Sequence, residues 1–184
     1  MPPFTHPRLA EIAGYLDFVR TRLTAVVEET PDSVIVALPA DDDWNGAQIV
    51  QHLGKVEGAT AKMLEGLFGA ALAAGFDLES ETSSVLGALD RFQGDSAVLR
   101  RLVAPERLWP ATDARLAESW ALLTSVRGRI YRAYATVDGR ALASVSAPHP
   151  LFGPLNAYEW LLFIGKHEER HLGQLQRHIA SVTS

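Results

Sequence analysis

The chain has 184 residues and a mass of 20.0 kDa, which is the size of one domain. It is 47% hydrophobic and 21% charged, so it is neither disordered nor fibrous, and its net charge of −5 argues against a broad nucleic-acid-binding surface. Zero cysteines exclude disulfides, a thiolate nucleophile, zinc fingers and iron–sulfur centres, and leave six histidines as the strong nitrogen ligands.

In chain order, residues 1–7 hold three prolines and read as an N-terminal arm. Leu9, Ile12, Leu16, Val19, Leu23 and Val26 then recur at steps of three and four, which predicts a helix over 8–28, stopped by Thr30-Pro31-Asp32. Its apolar stripe is a candidate dimer interface. Ile35-Val36 is the one strand-like spot and is too short to found a sheet. A second helix opens at a capping box, Asn45 with Gln48, and carries Ile49, His52, Val56, Ala59 and Met63 on one face. The 66–76 apolar run is far shorter than the ~20 residues that cross a membrane. With no basic start leading into an apolar core, the expected location is the cytoplasm.

Residues 75–111 are too long for bare loop. Val85, Leu89 and Phe92, then Val98, Leu99 and Leu102, predict one or two short helices there. A third long helix is expected over 112–137, with Leu116, Leu123, Val126, Ile130, Ala133 and Val137 in line, ended by Asp138-Gly139. The proline-rich 139–154 stretch reads as an ordered extended loop. A fourth helix follows over 155–182, capped by Asn156 with Glu159, its stripe running through Trp160, Ile164, His167, His171 and Leu175. Four amphipathic helices in one domain, 1–184, predict an all-α, antiparallel-type four-helix bundle.

His167 and His171 lie one turn apart, about 6 Å along the axis and roughly 40° around it. Two imidazoles so placed can meet one metal ion at about 2.0–2.1 Å each. An unpartnered ring buried on that stripe would cost about 1–3 kcal/mol. His52 occupies the equivalent stripe of the second helix, so three inward histidines from two helices form a candidate facial triad. Each alone also reads as a hydrogen-bonded core histidine. His167-Glu168-Glu169-Arg170-His171 also fits H-E-x-x-H, whose Glu would be a metalloprotease base. The extended form of that motif fails, because Gln174 and Arg177 stand where a Gly and a third His belong. Glu168, about 100° around the helix from His167, reads better as a surface or salt-bridged residue beside Lys166 and Arg170. Gln174, one turn past His171, is a candidate to orient a ligand ring. His178 reads as structural. His6 and His149 sit in proline-rich loops, from which a histidine near the bundle mouth could touch substrate. Trp44 and Trp160 are expected near helix ends, and Trp109 and Trp120 near the insert.

Trp44-Asn45-Gly46-Ala47-Gln48-Ile49-Val50-Gln51-His52-Leu53 resembles the start of helix two in the DinB superfamily. Pro150-Leu151-Phe152-Gly153-Pro154-Leu155, Glu159-Trp160-Leu161, His167, Arg170-His171 and Gln174 are similar to the last helix of its DinB_2 branch. The two blocks stand in the right order, about 115 residues apart. The resemblance implies a four-helix bundle, commonly a homodimer, with a divalent metal (zinc or nickel) on His52, His167 and His171. It further implies a metal-dependent transferase or isomerase using a low-molecular-weight thiol such as mycothiol, bacillithiol or glutathione. The competing class is a non-enzymatic stress-response protein that binds a metal or small ligand without turnover. With no cysteine in the chain, any thiol must arrive with the substrate.

Overall fold

The computed structural model describes residues 4–39, 43–90 and 105–183. Its elements are α1 (Pro7–Glu29), the one-turn α2 (Asp32–Ile35), α3 (Gly46–Ala74), α4 (Leu116–Ala135), β1 (Ser146–His149), β2 (Gly153–Asn156) and α5 (Ala157–Thr183), with single 3₁₀ turns at Glu106–Leu108 and Leu142–Ser144. The four long helices form a bundle, with the most extensive packing between α3 and α4 and between α1 and α5.

Both predicted capping boxes are in place. The Asn45 side chain accepts from Gln48 N–H while Gln48 accepts from Asn45 N–H, both at 3.0 Å. Asn156 and Glu159 exchange the same pair of bonds at 2.9 and 3.1 Å. These reciprocal bonds satisfy backbone donors that a helix start would otherwise orphan.

Side-chain partners along the helices give their directions. Glu57 meets Arg127, Gly54 faces Leu122, and Phe68 packs on Tyr134, so α3 and α4 run parallel. Tyr15 faces Gly165 and Arg22 pairs with Glu169, so α1 and α5 are parallel too. The antiparallel pairs are α1 with α4, shown by Asp17 on Tyr131 and Thr5 on Asp138, and α3 with α5, shown by Ile35-flanked Gly46 against Leu175. The expectation of an antiparallel-type bundle is therefore only half met. The long connection after α3 is the reason. A parallel successor requires the chain to travel back along the 29 residues of α3, roughly 44 Å, which a short turn cannot do.

Other expectations change as well. Ile35 belongs to a helical turn and not to a strand. The 139–154 connection is extended, but it also pairs: β1 and β2 form an antiparallel hairpin with His149 opposite Gly153, whose φ of 69° makes the turn back. In the long connection, 85–90 makes turns, while Phe92, Val98, Leu99 and Leu102 lie outside the described residues. The described part of the arm, from Phe4 on, is tied down, with Phe4 buried and Thr5 N–H donating to Asp138 at 2.6 Å. The α1 stripe, a candidate dimer interface, is consumed inside the chain: Leu9, Ile12, Leu16, Val19 and Leu23 are all fully buried.

The core divides into two apolar clusters, one around Leu16, Phe68, Ile130 and Tyr134, the other around Leu23, Leu53, Leu123 and Leu175. Between them lies a layer of four charges, one from each long helix: Arg20, Glu57, Arg127 and Glu168. Each follows a fully buried aliphatic residue by four positions (Leu16, Leu53, Leu123) or a nearly buried one (Ile164). Arg127 bonds Glu57 through Nε and Nη2 at 3.0 and 2.6 Å and also reaches Glu168. Arg20 Nε donates to Glu168 at 2.6 Å, and its Nη2 to Glu57 at 3.2 Å.

Close approach of α1 to α5 depends on Gly165. A Cβ there would stand 2.6 Å from the Tyr15 ring and 2.9 Å from Leu16. Gly165→Val should therefore destabilise the protein by about 1–3 kcal/mol, as overpacking of a filled contact does; an unchanged urea midpoint would refute this.

Candidate metal centre

The structure brings together the three histidines that spacing singled out. His52 comes from the second turn of α3, and His167 and His171 from the middle of α5. Their ring centroids are 5.2 Å (His52–His167), 4.9 Å (His52–His171) and 4.6 Å (His167–His171) apart. One nitrogen of each ring lies within 4.8 Å of one from each of the others. His52 and His171 are almost wholly buried.

Hydrogen bonds fix the proton on two of these rings. His52 Nδ1 stands 2.9 Å from the Leu108 carbonyl oxygen, which can only accept, so Nδ1 carries the hydrogen and Nε2 keeps its lone pair. His171 Nδ1 donates to Gln174 Oε1 at 2.7 Å. The Gln174 amide is itself oriented, because its nitrogen donates to Asp43 at 2.8 Å. His171 Nε2 is thereby an acceptor, and Arg170 Nη2 lies 3.1 Å from it. Gln174 thus takes the orienting position expected of it. A carbonyl or carboxylate behind the second ring nitrogen is the arrangement that aims a histidine at a metal.

Burial keeps all three rings neutral. It pushes His171 down to about 3, helped by the nearby Arg170 guanidinium, and lowers His52. His167 is driven well below the ordinary histidine value, first by burial and then by its two histidine neighbours. Neutral imidazoles are the form that ligates metal, and three of them leave a divalent cation's charge intact. The donor set therefore fits a divalent ion that accepts nitrogen ligands.

The surroundings come from three places. Trp44, just before α3, lies tilted against His52 with ring centroids 4.7 Å apart and stacks 6.4 Å from His171. The return of the long connection is clamped onto α3, where Lys55 donates to the Trp109 carbonyl and Gln51 accepts from Ala111 N–H, both at 2.6 Å. That clamp delivers the Leu108 carbonyl to His52. On the far side the hairpin lays His149 against Phe163 (4.7 Å) and Trp160 (5.2 Å). Between these walls a cavity of about 380 Å³ opens beside His52 and His167. Trp160 and His149 therefore line a pocket. His178 is structural, as expected: its Nε2 lies 3.1 Å from the Ile35 carbonyl oxygen, beyond reach of the cluster.

Glu168 is salt-bridged, as one of its expected readings had it, but in the core and with other partners. It is buried with 0% exposure, and its partners are Arg20 and Arg127, not Lys166 and Arg170. Both carboxylate oxygens are held by guanidinium groups from other helices, so it cannot serve as the base of an H-E-x-x-H hydrolase. Sequence reasoning missed Arg20, Glu57 and Arg127. The available signal was a charge on the core-facing i+4 position of every long helix, two of each sign. For Asp43 and the Leu108 carbonyl there was no signal, since both lie outside the four long helices. Replacing Glu168 with Ala should lower stability by about 3–5 kcal/mol, because two guanidiniums lose a buried partner. A variant with unchanged denaturant midpoint would contradict this structural role.

Comparison with known proteins agrees with the geometry. A curated relative, an uncharacterised protein YuaE from Bacillus subtilis (strain 168), is 30% identical over 140 residues, covering 75% of this chain and 78% of its own length. In fold, the chain is similar to the crystal structure of TT2238, a four-helix bundle protein, with a TM-score of 0.61 at 24% identity, covering 91% of this chain and 97% of the other. No helix among the described residues is long and apolar enough to cross a membrane. The family model for the DinB superfamily (DinB_2) matches residues 15–175, nearly the whole length over which the bundle and its three histidines are built, and the chain belongs to that superfamily.

Proposed function

We propose that His52, His167 and His171 hold a divalent metal ion, zinc or nickel, and that the protein is a metal-dependent transferase using a low-molecular-weight thiol. The observation that carries this reading is the juxtaposition of three neutral imidazoles, two of them held in orientation by hydrogen bonds, with a largely apolar cavity large enough for a small molecule. A bound divalent ion would supply Lewis acidity, favouring the thiolate over the thiol near neutral pH. The chain's own residues do the rest. Leu108 and the Asp43–Gln174 pair hold two ligand rings in the tautomer that points Nε2 inward. Trp44 shields the cluster on one side, and the hairpin limits water on the other. With no cysteine of its own, the chain offers no competing thiolate to the metal.

Two measurements test this. Purified protein should take up one equivalent of zinc or nickel by calorimetric titration. His52→Ala should abolish stoichiometric binding, and Gln174→Leu should weaken it about 10- to 100-fold, the usual cost of losing a group that orients a ligand. Stoichiometric metal retained by His52→Ala would refute the three-histidine site. The loaded wild type should also accelerate attack of mycothiol, bacillithiol or glutathione on 1-chloro-2,4-dinitrobenzene, the sulfur bonding to the ring carbon as chloride leaves. Metal binding with no acceleration by any of the three would identify a metal-binding protein without this turnover.

A further inference from the structure

The cavity beside the histidines has a one-sided chemistry. Its walls are mostly apolar, with Met63, Leu108, Leu151, Trp160 and Phe163 among them. Its charged lining consists of two guanidiniums, Arg107 from the returning connection and Arg170 from α5. No Asp or Glu side chain lines it among the described residues. Neither arginine makes a salt bridge among the described residues, although the protein as a whole is acidic, with a net charge of −5. Arg20, Arg22 and Arg127, by contrast, are each paired with a carboxylate. Arg170 donates to His171 Nε2 at 3.1 Å and has Asp43 in its wider surroundings, but neither guanidinium has a carboxylate at salt-bridge distance among the described residues. Two such cations on an apolar wall are an arrangement that suits an anion carried by an apolar body.

His149 adds a directional group. Its Nδ1 accepts from the backbone N–H groups of Leu151 and Phe152 at 3.2 and 3.3 Å, so the hydrogen of the neutral ring sits on Nε2. The ring is packed against Phe152, Trp160 and Phe163, with centroids 4.6, 5.2 and 4.7 Å away. Burial lowers it to about 4, so it stays neutral at physiological pH. Nε2–H is therefore the polar atom this cavity-lining residue has to offer. The β1–β2 turn, held by these two backbone bonds, fixes its orientation in advance.

We propose that this cavity binds a small apolar carboxylate, its acid group recognised by Arg107 and Arg170 and a further oxygen accepting from His149 Nε2–H. The ligand is the acceptor substrate and not the thiol, because low-molecular-weight thiols are built from peptide or sugar units that the apolar wall would leave unsolvated. That assignment to the acceptor rests on the thiol-transfer reading above. The binding itself does not.

The test is calorimetric titration of the full chain, metal-free and zinc-loaded, with 3-phenylpropionate, its uncharged amide, and glutathione. The carboxylate should bind in both forms and the amide at least about tenfold more weakly, the worth of one charge-assisted hydrogen bond. Arg107→Gln, on the exposed turn beside Leu108, should cost about tenfold, and Arg170→Gln a similar factor. His149→Phe, which keeps the aromatic packing, should weaken binding while leaving zinc stoichiometry unchanged. Binding that appears only with zinc and ignores both arginine variants would mean the carboxylate sits on the metal, and would overturn the proposal. Equal binding of acid and amide would overturn it as well, and glutathione displacing 3-phenylpropionate would overturn the assignment to the acceptor. If zinc fails to bind while the arginine-dependent carboxylate binding persists, the metal reading falls and the pocket's specificity stands.

Discussion

Four opposite charges locked into the middle of the bundle are the constraint on which the remaining architecture depends. Arg20, Glu57, Arg127 and Glu168 contribute one group from each long helix and separate the two apolar halves of the core. Aliphatic contacts tolerate a helix sliding by a turn, since one leucine can replace another against the same wall. A guanidinium buried opposite a carboxylate does not, because a slipped helix strands a charge in an apolar layer. The quartet therefore sets the register of all four helices at once. Its stabilising value is modest beside that specificity, given the cost of desolvating four ions.

The same layer governs the histidines. His167 immediately precedes Glu168, so the residue that anchors α5 to α1 and α4 also fixes the azimuth at which His167 leaves the helix toward α3. Helix α5 is buried on two sides. Leu161, Ile164, Glu168, Leu172 and Leu175 face the core, while Trp160, Phe163, His167, His171 and Gln174 face the cavity and the metal centre. Gly165 lets α1 come close from the remaining direction. A helix gripped this way holds its ligands without a disulfide or a second domain.

This two-sidedness explains what could be read from the sequence. Regular steps of three and four residues announced four helices, and the Asn45–Gln48 and Asn156–Glu159 pairs located two starts. Histidines at 52, 167 and 171 fell on inward faces, which was enough to pick the cluster. Periodicity merges adjacent buried faces into one stripe, however. Ala59 and Met63 were read as core continuing from Ile49, yet both border the cavity. The parallel directions of α3 and α4 were invisible because a connection's length permits a crossover without requiring one. Asp43, Arg107 and the Leu108 carbonyl act from the connections between the long helices, where position is set by distant contacts such as Lys55 on Trp109. His149 looked like one more loop residue until the pairing of β1 with β2 gave it a fixed ring.

The charge layer also has a kinetic meaning. Arg20 and Glu168 are separated by 148 residues, and Arg127 and Glu57 by 70. No pair of neighbouring helices can complete the quartet alone, and a half-formed set would hold charges away from water without their partners. Pairs so distant in sequence carry a high loop-closure cost, which favours their forming late in assembly. Interactions that form after the transition state act on the rate of opening and leave the rate of assembly largely unchanged. The quartet is in that sense a lock on the closed bundle, and the three histidines share the lifetime that it gives to α5.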